Sequence, residues 1–209
     1  KVKVKNFAAI PWDETPDLMR ELEQVPGIGA LALRFTILTV LRSGTVRKAT
    51  WSQFSEGFER WIIPAENMKA DEEHEVQHPY AARQMLKDLF AQNHKNNDLV
   101  FYSPRTQSNM ISENTMAKAL KRFYPDATVH GMRSAYRDWA EIFSDASHEV
   151  KEAVLAHGNP NKVESAYLRT KYLDEREDLM EVWGKWASGE GGTYQSLLHK
   201  YPAGRTTPL

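Results

Sequence analysis

The chain has 209 residues, 41% of them hydrophobic, a formal net charge of −1 and no cysteine. That apolar content supports a packed core, in one domain of good size or two small ones. The missing cysteines exclude disulfide frameworks, thiolate zinc sites and cysteine nucleophiles together, and they fit a reducing compartment. No apolar run is long enough to span a bilayer, and the opening KVKVKN lacks the apolar core of a signal peptide.

Residues 1–11 are basic and extended in character, close on Pro11, and read as a linker. Thr15-Pro16-Asp17 opens a helix, with proline at its first position, and Leu18, Met19, Leu22 and Val25 form its apolar stripe. Pro26-Gly27 ends it. Residues 30–41 are apolar nearly all round, which predicts a buried helix, broken at Ser43-Gly44. Phe58, Arg60 and Ile62 alternate with Glu59, Trp61 and Ile63, which predicts a strand ended by Pro64; residues 74–78 predict its return, with Lys69 in or near the connection. Pro79 opens a further helix whose apolar face is Met85, Leu86, Leu89 and Phe90, and residues 92–98 read as a polar loop. Ser112 suits the N-cap of a helix reaching Arg122.

Beyond Pro125 the pattern is helical. One helix begins near Gly131 and runs through Trp139 to Phe143. A second follows Ser147 and stops at His157-Gly158, where glycine is a common C-terminal cap. A third carries Tyr167, and a last one places Leu179, Met180, Trp183 and Trp186 on one face. The sum is an α+β domain, mainly α-helical, with one small antiparallel sheet. Basic residues concentrate at 42–48, 118–122 and 133–137, so a basic face is compatible with the neutral total.

Arg42, Lys69, His130, Arg133, His157 and Tyr167 stand out as a dispersed set. Five lie at an expected element end or in a turn, and Tyr167 lies on a short helix. Each alone is common by chance; the ordered combination is not. The strings that carry it are TVLRSGTVRKATW, WIIPAENMK, HGMRSAYRDWAE, LAHG and VESAYLRTKYLDERE. Together they resemble the catalytic domain of tyrosine recombinases, with greatest similarity to integrases of satellite phages and pathogenicity islands. The resemblance covers roughly residues 17–186, and the tyrosine follows His157 by ten residues, as suits that subgroup.

The resemblance implies a domain over residues 12–187, after the linker and before a tail at 188–209. It implies site-specific strand cleavage and rejoining through a 3′-phosphotyrosine, for integration or excision of a mobile element. Arg42 and Arg133 would offset charge on the phosphate, a task suited to a planar fork that does not deprotonate. His130 would be the general base for a tyrosine hydroxyl whose unperturbed pKa is about 10. Lys69 would be the general acid for the 5′ oxygen, His157 a hydrogen-bond donor to the phosphate, and Tyr167 the nucleophile.

No cofactor and no metal are implied. The expected partners are double-stranded DNA at a specific attachment site, further copies forming a tetramer on it, and accessory DNA-bending proteins. No membrane is involved; the expected location is the bacterial cytoplasm, at the nucleoid. A helical core-binding domain is expected ahead of Lys1. A DNA-binding domain of this fold with impaired cleavage and a type IB topoisomerase are the alternatives.

Two positions depart from the family's pattern. Thr45 stands where an acidic residue is usual, and HEVQHP is more polar than is usual for the second strand. His74, Glu75 and His78 have a spacing that suits metal on a helix, but on a strand they share a face only loosely. Tyr172 is the competing nucleophile, around the far side of its helix from Tyr167. The six tryptophans are expected in the core.

Overall fold

A computed structural model describes residues 8–93, 98–157 and 172–190. Its elements in chain order are α1 (Thr15–Glu23), α2 (Ile28–Thr39), α3 (Ser43–Arg47), β1 (Arg60–Ile63), β2 (His74–Gln77), α4 (Tyr80–Asn93), α5 (Asn114–Leu120), α6 (Gly131–Phe143), α7 (His148–Val154) and α8 (Leu173–Ala187). This is the mainly helical α+β domain that the sequence predicts.

Helix α2 is the hub. Its lack of a polar face dictates burial on all sides, and it packs against α1, α3, α4, α5 and α8. Its two interior threonines avoid stranding a hydroxyl: Thr36 and Thr39 each donate to the carbonyl four residues back, at 2.7 and 2.8 Å. Helix α8 closes over it, with Trp183 Nε1 donating to the Ile37 carbonyl at 2.9 Å. That bond satisfies the one polar atom of a fully buried indole. On α8, Leu179, Met180, Trp183 and Trp186 are all buried, as their spacing predicts.

Trp183 meets Tyr136 and Trp139 of α6 at ring-centroid separations of 5.4 and 5.1 Å. Trp139, Phe143, Trp186 and Trp12 continue this aromatic seam between α6 and α8. Truncating a tryptophan in such a seam costs about 3–5 kcal/mol. The helix ends are tied as well. Glu181 of α8 accepts the Tyr80 N–H at the start of α4, at 2.8 Å, placing a carboxylate at a helix N-terminus.

The sheet among the described residues is the pair β1–β2, antiparallel, with Trp61 opposite Val76 and Ile63 opposite His74. Trp61 and Ile63 are buried while Arg60 and Ile62 face solvent, the period-two alternation expected. The strand starts later than its pattern suggests, because Phe58 takes left-handed backbone (φ 62°) in the preceding turn. Beneath the hairpin, Phe35, Phe54, Trp61 and His78 form a second aromatic cluster. His78 is buried there, holds the Phe58 carbonyl through Nδ1 at 2.8 Å, and burial lowers its pKa to about 4.

Two boundaries move. Ile10 is 3% exposed and the Ala8 carbonyl accepts the Thr128 N–H at 2.9 Å, so the last residues of the expected linker pack on the domain. Helix α4 continues to Asn93, into the expected polar loop. The third expected helix falls in 158–171, outside the described residues. Among the described residues no helix is long and apolar enough to cross a membrane.

Candidate active site

The site is built from helix ends, and two of them differ from expectation. Helix α2 does not reach Leu41. It stops at Thr39, and Val40 takes left-handed backbone at φ 59°. That conformation costs a β-branched residue about 1–2 kcal/mol. The side chain is 2% exposed, so core packing offsets the cost. Ser43-Gly44, expected as the break, instead opens α3. Arg42 is the extended residue ahead of it, and its carbonyl accepts the N–H groups of Thr45 and Val46 at 3.0 and 3.2 Å. Arg42 thus occupies a fixed, half-buried junction between two helices, and burial lowers its pKa.

Helix α7 ends in a Schellman turn. The Ala156 N–H bonds the Ala153 carbonyl at 3.0 Å and the His157 N–H bonds that of Glu152 at 3.1 Å. The left-handed residue is Ala156 (φ 49°), two positions before the glycine expected to cap the helix. The turn sets His157 immediately beyond the helix. At its other end, α7 starts after Ser147 as predicted, and Ser147 Oγ caps it by accepting the Val150 N–H.

His130 precedes α6 and Arg133 lies one turn along it. Between them Gly131 allows a close crossing, since a Cβ there would lie 2.3 Å from the Ala8 carbonyl oxygen and 2.7 Å from the Ala9 Cα. Arg133 is 5% exposed. Its guanidinium donates to the Val40 carbonyl through Nη1 and to the Leu155 carbonyl through Nη2. The same Nη2 stands 3.1 Å from His157 Nε2. One side chain therefore joins the end of α2, the end of α7 and His157. Burial lowers the Arg133 pKa to about 10, with neighbouring Arg42 acting in the same direction, which leaves it charged at neutral pH.

Lys69 stands exposed in the connection between β1 and β2. Thr45, at the position usually acidic, is buried, and its hydroxyl donates to the Asn67 carbonyl at 3.3 Å, linking α3 to that connection. The Lys69 charge reaches His130. The His130 pKa is lowered first by partial burial of its ring and then by Arg133, Arg42, His157 and Lys69. Five of the six residues singled out in the sequence thus share one electrostatic neighbourhood. The sixth, Tyr167, lies outside the described residues. Tyr172 is half-buried at the start of α8.

Two residues at the site escape the sequence pattern. Glu152 of α7 accepts from His157 Nδ1 at 2.7 Å and also from Arg137 Nη2. Their separations in sequence follow no motif; only the EVKEAVLAH spacing, with Glu152 five residues before His157, could have pointed to the pair. His74 and His78 serve the hairpin instead. His74 Nε2 faces the buried Arg176 of α8 at 3.5 Å, and Arg176 also donates to the Glu75 carbonyl. Among the described residues no group of three or more histidine and acidic side chains could hold a metal ion.

Known proteins resemble this chain in sequence and in fold. The phage integrase family model matches residues 9–173. The integrase of Enterobacteria phage P4 is 28% identical over 94% of this chain and 49% of its own length. The prophage integrase IntA of Escherichia coli K12 is 29% identical over 88% of this chain and 45% of its own. The chain therefore spans about half the length of these relatives. A crystal structure of a lambda integrase dimer bound to a COC′ core site superposes with a TM-score of 0.55 at 17% identity, over 83% of this chain and 51% of that one, a likeness of fold. By the family match over most of its length, the chain belongs to the phage integrase family.

Proposed function

We propose that the protein is a tyrosine-type site-specific recombinase that cuts and rejoins double-stranded DNA through a 3′-phosphotyrosine, integrating or excising a mobile element. The observation that carries this reading is the gathering of Arg42, Arg133, His157 and Lys69 around His130. A cluster of cations next to a histidine is what metal-free phosphodiester cleavage needs. The arginines offset charge on the non-bridging oxygens, and they act most strongly where water is excluded. His130 is held below its ordinary pKa first by partial burial and then by its cationic surroundings, which favours the neutral ring that can take the tyrosine proton. Lys69, on a flexible stem at the surface, delivers a proton to the leaving 5′ oxygen.

Tyr167 is the nucleophile in this reading, on the strength of its VESAYLR context and its distance from His157. The phosphotyrosine bond conserves the energy of the broken linkage, so a 5′ hydroxyl of a second strand can reverse the step. The substrate is duplex DNA at a specific site, by analogy with the core site bound by lambda integrase. Two duplexes cut at both strands call for four copies, and accessory DNA-bending proteins fit such an assembly, at the bacterial nucleoid.

A nicked duplex carrying the attachment site, which traps the covalent intermediate by losing a short strand, tests the reading with the full-length protein. Tyr167→Phe is expected to abolish the trapped adduct and leave DNA binding nearly intact, while Tyr172→Phe retains it. Loss of the adduct in Tyr172→Phe alone overturns the assignment, and no adduct from the wild type overturns the activity.

A further inference from the structure

Arg133 is almost wholly buried, and both hydrogens of its Nη2 are engaged, by the Leu155 carbonyl and by His157, so a phosphate gains an Nη2 hydrogen only if one of these partners yields. Val40 and Leu155 offer backbone carbonyls, which can only accept hydrogen bonds, and both belong to left-handed helix ends set by packing. His157 is different, because a histidine nitrogen can change from acceptor to donor. Arginine nitrogens only donate, so at 3.1 Å His157 Nε2 is the acceptor of the Arg133 Nη2 hydrogen. The proton of the neutral ring then sits on Nδ1, where the Glu152 carboxylate accepts it at 2.7 Å. Glu152 is steadied through its other oxygen by Arg137. In this arrangement the only ring N–H of His157 points at Glu152, away from any phosphate held by Arg133.

We propose that Glu152 is a positioning residue that lets His157 exchange roles as a phosphate arrives. Nε2 takes up one proton from solvent, releases the Arg133 hydrogen to the phosphate and donates its own new N–H beside it. Nδ1–H stays on Glu152 throughout, so the ring keeps its place. The inference rests on the recombinase reading for its phosphate.

The charges around the ring explain why the carboxylate is needed. Among the described residues, those that face or act on His157 are Glu152 from its own helix, Arg133, Arg137 and His130 from α6 and the turn before it, and Arg42 from ahead of α3. Glu152 alone is acidic. Burial lowers the His157 pKa, the hydrogen bond to Glu152 raises it, and the arginines lower it. Burial pushes the Glu152 carboxyl up, but His157 and Arg137 outweigh this and hold it ionised below its usual range. Removing the negative charge leaves the imidazolium among cations, so its protonation moves to lower pH.

Glu152→Gln keeps the shape and one acceptor oxygen for His157 Nδ1, while it removes the charge and replaces the oxygen that accepts from Arg137 with an amide donor. Histidine ¹⁵N resonances of the full-length protein, with the His157 signal assigned by its loss in His157→Asn, report the ring directly. Wild type is expected to show the Nδ1–H form when neutral, and Glu152→Gln to titrate at lower pH. Single-turnover cleavage of the nicked duplex should match wild type at a pH below both measured His157 midpoints, where both rings are protonated. It should fall behind by about tenfold near pH 8, the effect of losing an adjacent opposite charge. An unchanged His157 midpoint, or a rate deficit equal at every pH, overturns the proposal. If wild type forms no adduct at any pH, the recombinase reading falls instead, and the midpoint alone still decides whether Glu152 governs the proton on His157.

Discussion

Arg133 leaves a helix of 13 residues and ends, 5% exposed, against two backbone carbonyls and a histidine. Lys69 stands exposed between two strands of four residues each, in a connection tied to the rest of the site by the Thr45–Asn67 hydrogen bond. In the proposed mechanism both are cations of one site, and they are held in opposite ways. A charge that stabilises the phosphate must be in place before the reaction, because reorganising it later would cost part of the stabilisation. A proton donor must reach an oxygen that moves away, which a flexible stem on a short turn permits. The contrast assigns preorganisation to the α2–α6–α7 junction and reach to the hairpin.

The contrast breaks most sharply at Arg133. Arg133→Lys keeps the charge but loses the planar fork, and we expect adduct formation to fall by about a hundredfold or more. Affinity for DNA should change far less. Because the Val40 and Leu155 carbonyls lose their donor in a buried place, thermal or denaturant unfolding should also show a loss of about 1–3 kcal/mol. A rate loss without any stability loss would mean that the fork is not a brace.

Lys69→Ala should show the opposite profile. Stability should stay within about 0.5 kcal/mol of wild type, as for an exposed side chain, while cleavage of ordinary DNA slows strongly. A substrate with sulfur in place of the bridging 5′ oxygen leaves as a thiolate and needs no proton. It should restore this variant close to the wild-type rate and leave Arg133→Ala unrescued. Equal slowness of Lys69→Ala on both substrates would remove Lys69 from the role of acid.

Thr45→Val sharpens the comparison at the link between the two regions. It keeps the shape and removes the hydrogen bond to Asn67, worth about 1 kcal/mol. A loss of about fivefold in cleavage is expected, relieved by the same sulfur substrate if Thr45 acts through Lys69. A loss that sulfur does not relieve would place Thr45 with Arg42 instead. The smallest effect is expected at Ala156→Gly. Glycine takes left-handed backbone without strain, and relief of strain minus the added freedom of the unfolded chain should leave a gain of about 0.5 kcal/mol. A decrease in stability would show that the Ala156 methyl contributes more by packing than it costs in strain.

Much of this molecule is legible along the chain. Residues 30–41 have no polar face, so burial of α2 follows from composition alone. The alternation around Trp61 yields the hairpin, and the spacing of Leu179, Met180, Trp183 and Trp186 yields the inner face of α8. HxxR is local, so His130 and Arg133 come to the same helix end by periodicity. What the chain misplaces is the stopping point of helices. Gly44 and Gly158 advertise turns, yet the left-handed residues that shape the site are Val40 and Ala156, which carry no local signal for that backbone. Their conformations are imposed by burial and by the Arg133 donors that their neighbourhood supplies. Arg137 is illegible for a related reason: its bond to Glu152, the partner of His157, depends on how α6 lies beside α7. Periodicity is a property of each segment and can be read one segment at a time. The protonation and aim of a site depend on the charges and carbonyls that other segments bring to it, and only the packed tertiary structure decides those.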